Sequence, residues 1–72
     1  MLKYEIKIYS TDNDIIGSIS ENTKEKINKE VNKIKHMNKK ELHLSLSLND
    51  DITIRNCEVF NNNYVVDSFN MI

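Results

Sequence analysis

Residues 42–48 read Leu-His-Leu-Ser-Leu-Ser-Leu, apolar and polar side chains in strict alternation. Successive side chains of an extended chain point to opposite faces. The pattern therefore predicts a half-buried strand with Leu42, Leu44, Leu46 and Leu48 turned to the core and His43, Ser45 and Ser47 turned outward. Placing a strand here sets the roles of the segments on either side.

Upstream, residues 21–40 carry helical periodicity. Ile27, Val31 and Ile34 recur at spacings of four and three, with Thr23 one turn earlier and Met37 near the end. Ser20 is the expected N-cap, Glu21 suits the positive end of the helix dipole, and Lys39 and Lys40 suit the negative end. Before the helix, residues 2–9 alternate, with Leu2, Tyr4, Ile6 and Ile8 on one face and Lys3, Glu5 and Lys7 on the other. The cluster Thr11-Asp12-Asn13-Asp14 is a turn made without glycine, and Ile15, Ile16 and Ile19 give a second strand with Gly17 as a candidate bulge.

Downstream, Asn49-Asp50-Asp51 is a turn. Ile52 and Ile54 resume alternation, and the phase then slips to Cys57 and Val59, which predicts a bulge near Asn56. Asn61-Asn62-Asn63 is a third turn without glycine, and residues 64–71 form a last strand. The expected architecture is α+β: one helix on one face of a four- or five-stranded, mostly antiparallel sheet, in the order β-β-α-β-β-β, as a single small domain over residues 1–72. Periodicity leaves open whether the end strands pair parallel or antiparallel.

At 72 residues the chain has room for one modest core. It contains 11 Asn, 10 Ile and 9 Lys, no Ala, Gln, Pro or Trp, and a single Gly. Nucleotide loops of the Gly-x-Gly-x-x-Gly and Walker types need several glycines for close backbone approach, so they are excluded. The formal net charge of -1 gives no global attraction to nucleic acid or to an anionic membrane. One cysteine, Cys57, cannot form an intramolecular disulfide and is expected to be a small buried hydrophobe. No stretch resembles a signal peptide or spans a bilayer, so the expected address is the cytoplasm.

Chemistry-bearing clusters are sparse. His36, His43 and Cys57 are the only imidazole and thiol ligands, they lack the short spacings of a zinc site, and no metal or other cofactor is expected. The carboxylate pairs Asp12/Asp14 and Asp50/Asp51 lie in predicted turns, where Asp serves the backbone. No constellation indicates an enzyme. Residues 20–41 hold seven Lys against four Glu, so the helix is a basic ridge. Lys26, Lys29, Lys33 and Lys40 share one flank and are the residues a weak nucleic-acid-binding module would use, although Lys residues beside a core-facing stripe also describe an ordinary solvated helix.

The last strands carry an apolar excess. Val59, Phe60, Tyr64, Val65, Val66, Phe69, Met71 and Ile72 populate both faces, whereas one helix covers only one. Either the strands curl into a partly closed barrel or the excess marks an interface. The favoured reading is a small non-catalytic protein-binding module, for instance a phage or mobile-element accessory protein that inhibits or modulates a host protein. Its partner is another protein or a second copy in a homodimer, with Phe60, Tyr64 and Phe69 as anchors.

Overall fold

The computed structural model describes residues 3–71. Four strands, β1 (Tyr4–Ser10), β2 (Ile15–Glu21), β3 (Ile54–Asn61) and β4 (Tyr64–Asn70), form one sheet, and two helices, α1 (Lys24–Lys35) and α2 (Lys39–Ser45), connect β2 to β3. The sheet order is β2-β1-β3-β4 and every pairing is antiparallel. Leu2 and Ile72, expected on the first and last strands, lie outside the described residues.

β1 is a central strand, and its alternation is the one read from the sequence. Ile6 and Ile8 are fully buried while Glu5, Lys7 and Tyr9 occupy the other face. Opposite them on β3, Ile6 pairs with Val59 and Ile8 with Cys57. Tyr9 pairs with Asn56 but Ser10 pairs with Ile54, so Arg55 is an extra residue. This is the bulge expected near Asn56, and it returns Ile54 to the buried face. The helices cover that face, adding Ile27, Val31, Ile34 and Leu42 to the core.

The expected single helix and the strand at 42–48 are both corrected. The helical region begins later, because Ser20 and Glu21 belong to β2; the N-cap of α1 is Thr23, whose Oγ1 accepts from the Lys26 amide at 3.2 Å. It also breaks at His36 and restarts at Asn38, so the order is β-β-α-α-β-β. Residues 39–45 are helical because Asn38 and Glu41 form a capping box: Asn38 Oδ1 accepts from the Glu41 amide at 2.8 Å and Glu41 Oε1 from the Asn38 amide at 3.2 Å. Leucine has high helix propensity and no β-branch, so its alternation with His and Ser does not oppose the cap.

The leucine face is corrected with it. Leu42 is buried, Leu46 and Leu48 pack partly against the core, and Leu44 is 69% exposed on the far side of α2. His43, expected outward on a strand, is half-buried, and its Nε2–H donates to the carbonyls of Asn49 at 2.9 Å and Ile52 at 3.1 Å. It thereby ties α2 to the loop leading into β3. α2 ends in a Schellman arrangement, with the Leu48 amide on His43 O, the Ser47 amide on Leu44 O, and Ser47 at φ 55°.

The turns use Asn and Ser where glycine is usual. Asn62 and Asn63, at φ 52° and 71°, form the two-residue β3–β4 connection, and Asn13 at φ 68° serves the β1–β2 turn. In that turn buried Ser10 accepts at Oγ from the amides of Asp12 and Asp14. The extra residue in β2 is Ile16, beside Gly17 rather than at it. Gly17 itself leaves room for α2: a Cβ there would stand 3.0 Å from Leu46 Cδ2.

Candidate functional site

β2 and β4 are the two edges of the sheet, so the final strands do not curl into a closed barrel. An edge strand presents backbone N–H and C=O groups along its free side. On β4, Tyr64, Val65 and Val66 are 77%, 53% and 59% exposed, a continuous apolar stretch at the start of the strand. Its second half, from Asp67 to Asn70, is mostly polar.

Pairing explains why apolar side chains here reach both faces. Phe60 pairs with Val65 and Val59 with Asp67, leaving Val66 as an extra residue. Val65 therefore lies on the open face beside Phe60, while Val66 lines the helix side of the edge. Asp67 shares the helix side with Val59, and its Oδ2 is 3.5 Å from Lys35 Nζ.

The three expected anchors do not share a face. Phe60 lies half-buried on the open face with Lys7 Nζ 4.5 Å from its ring centroid. Phe69 lies on the helix side, opposite Cys57, packed against the core with Lys35 Nζ 5.1 Å from its ring. Tyr64 alone is freely exposed, so the structure brings it together with Val65 and Val66 instead. The doublet Val65-Val66, which breaks simple alternation, was the sequence signal for that grouping.

Under the same edge lies a cleft of about 190 Å³, lined by Tyr4, Lys24, Ile27, Asn28, Val59, Asn61 and Val66. Three of these residues, Ile27, Val59 and Val66, are apolar. Among the described residues Asn61 Oδ1 is buried without a hydrogen-bond partner. Sequence reasoning assigned Asn61 to a turn; the turn residues proper are Asn62 and Asn63, and Asn61 pairs with Tyr4 and Tyr64 in the sheet.

The lysine ridge is shorter than the sequence indicates. Lys26, Lys29 and Lys33 are exposed on α1, but Lys40 is on α2, where it lines a separate groove with Lys39, His43 and Asp50. Cys57 is fully buried, and burial pushes its thiol up to about 11, so it is un-ionised at neutral pH. On the open face Arg55 stands 5.7 Å from the Tyr9 ring and donates to Asn13 Oδ1. The Tyr9 phenol is raised by its partial burial, then by the Glu58 carboxylate beside it, with Arg55 acting in the opposite sense. Among the described residues no three His, Cys, Asp or Glu side chains converge as a metal-binding group, and no helix is long and apolar enough to cross a membrane.

Comparison with known protein families, with curated proteins and with solved structures finds no match to this chain.

Proposed function

We propose that this chain is a small non-catalytic protein-binding module that captures an extended segment of another protein along the free edge of β4. The observation that carries the reading is the exposed Tyr64-Val65-Val66 stretch on an edge strand. Backbone groups along such an edge hydrogen-bond to an added strand, and side chains alternating to either face give selectivity. A module of this size acts by occupying the segment it binds, as an accessory protein that blocks or modulates its target does.

A second copy is the less favoured occupant. Asp67 points to the helix side of the edge strand, an inward charge of the kind that protects edges from self-pairing. Two β4 strands set antiparallel about their midpoints would bring their Asp67 carboxylates together, whereas a foreign strand is free to place a neutral or basic residue there.

The test is capture of extended peptides by the intact chain, read by backbone amide shifts and by affinity. Val65→Lys places a charge on the apolar half of the edge and is expected to weaken capture at least tenfold while shifting the melting temperature little, since Val65 is already exposed. Equal binding by Val65→Lys and by the unmodified chain overturns the edge reading.

A further inference from the structure

The backbone of β4 is open along only part of its free side. Neighbouring antiparallel strands exchange hydrogen bonds at every second residue, and the residues between turn their N–H and C=O away. The Asn62 amide donates to Lys3 O at 2.9 Å, so Asn62 faces β1. At alternate residues back along β3, Phe60 and Glu58 therefore face β1 as well, opposite Glu5 and Lys7. Their partners on the other side of β3, Val65 and Ser68, turn their own N–H and C=O to the free side of β4.

Those two residues are three apart in sequence, because the bulge leaves Val66 as an extra residue beside Asp67, the partner of Val59. A regular strand presents its groups at every second residue, so it stays in phase with one side of the bulge and not with both. The far side is also engaged. Asp67 Oδ1 accepts from the Ser68 amide at 2.8 Å, and Asp67 Oδ2 is 3.5 Å from Lys35 Nζ. Side-chain character changes at the same point, from exposed apolar residues at 64–66 to mostly polar ones at 67–70.

Building on the edge-capture reading, we infer that β4 takes a short foreign segment, about three residues with an apolar residue at the centre, and that Asp67 closes the remainder of the edge. The central residue pairs with Val65 and lays its side chain on the open face beside Val65 and Phe60. Its two neighbours fall on the helix side, next to Tyr64 and Val66. Beyond them the segment ends or turns away, because further pairing has to displace a carboxylate from the Ser68 amide and is still out of phase. A second copy of β4 shares the three-residue spacing. Laid antiparallel in that register, however, it brings its Asp67 carboxylate beside the first on the same face, which like charges oppose.

The experiment uses the intact chain, labelled with ¹⁵N, and two acetylated and amidated peptides, Thr-Val-Thr and Ser-Thr-Thr-Val-Thr-Thr-Ser, the second of which overruns Asp67 in either direction. Both are expected to shift the Val65 amide, to leave the Ser68 and Asn70 amides in place, and to bind within about twofold of each other. If the longer peptide binds at least about fivefold tighter and moves Ser68 and Asn70, the short-segment inference is overturned while edge capture stands. If neither shifts Val65, edge capture is overturned and the short-segment inference falls with it. Amide exchange reads the closure by Asp67 without any peptide. In the unmodified chain Ser68 is expected to exchange roughly tenfold more slowly than Val65, each relative to its rate in an unfolded chain. Asp67→Lys, at an exposed position, removes the acceptor and keeps the edge charged, and should bring the two rates together. Equal protection of Ser68 in both proteins overturns the closure.

Discussion

Cys57 shows how much one buried side chain decides at this size. Its thiol sits with no exposed surface between β1 and β4, paired across the sheet with Ile8 and Phe69. Burial raises its folded pKa from 9.0 to about 11. In the unfolded chain the thiol ionises near its ordinary value, so the folded state alone keeps the proton over the interval between. The stability this contributes is fully present below about pH 9 and is lost as pH rises through about 11, a fall on the order of 2 kcal/mol. Urea unfolding at pH 8 and at pH 10.5 should show that decline in the unmodified chain and a shallower one in Cys57→Ala, which starts from a lower stability. Equal slopes in the two proteins would mean that the thiol is hydrated in the folded state. The same burial predicts that alkylating reagents reach Cys57 only as fast as the chain opens.

At the scale of elements, what was legible in the sequence followed from how many independent signals converged. For β1, periodicity, branched side chains and turn residues agree, and Ile6 and Ile8 are buried as their spacing requires. The phase slip between Ile54 and Cys57 gave the bulge at Arg55, because only an extra residue returns both side chains to one face. The stretch 42–48 misleads because its pattern has period two while its backbone obeys a cap. Asn38 and Glu41, three residues apart, form the capping box, and Leu42 and Leu46, four apart, are one face of a helix as well as alternate positions of a strand. Leu44 separates the two geometries: a strand buries it beside its neighbours, whereas α2 leaves it exposed. Leu44→Asp is therefore expected to change stability by less than about 0.5 kcal/mol, while Leu46→Asp, set against Gly17 and Ile8, should cost about 2 kcal/mol or more. Similar losses for both in thermal melts would restore the strand. The candidate site was legible only as an excess of apolar residues on the last strands. The bulge at Val66, which leaves Val66 and Asp67 both on the helix side, depends on inter-strand register, which local periodicity does not encode.

At the scale of the whole molecule, charge and edges decide what the surface will accept. The basic side chains of α1 are dispersed: Lys35 is held by Asp67 and Phe69, Lys24 lines the cleft, and Lys26, Lys29 and Lys33 alternate with Glu25 and Glu30. Replacing Lys26, Lys29 and Lys33 together by Glu is expected to leave peptide capture unchanged, and the unmodified chain should give no band shift with DNA or RNA at low salt. A shift that weakens at least tenfold between about 50 and 200 mM salt would favour phosphate binding by this ridge instead. The edges pose the opposite problem, because an apolar free strand able to take a foreign segment can also take a copy of itself. Within β4 the block against self-pairing is Asp67: a copy laid antiparallel along the strand must desolvate two carboxylates near one another, and the exposed contact with Lys35 at 3.5 Å offsets little of that cost. Asp67→Asn keeps the side chain's shape and its acceptor for the Ser68 amide but removes the charge. Sedimentation should find the unmodified chain monomeric at micromolar concentration in low salt, and Asp67→Asn shifted toward dimer, a shift that Val65→Lys in the same background reverses. High salt should move the unmodified chain in the same direction by screening the carboxylates. If Asp67→Asn stays monomeric under all these conditions, the carboxylate is not what keeps the edge free, and the twist imposed by the bulge at Val66 becomes the remaining physical reason for an unpaired β4.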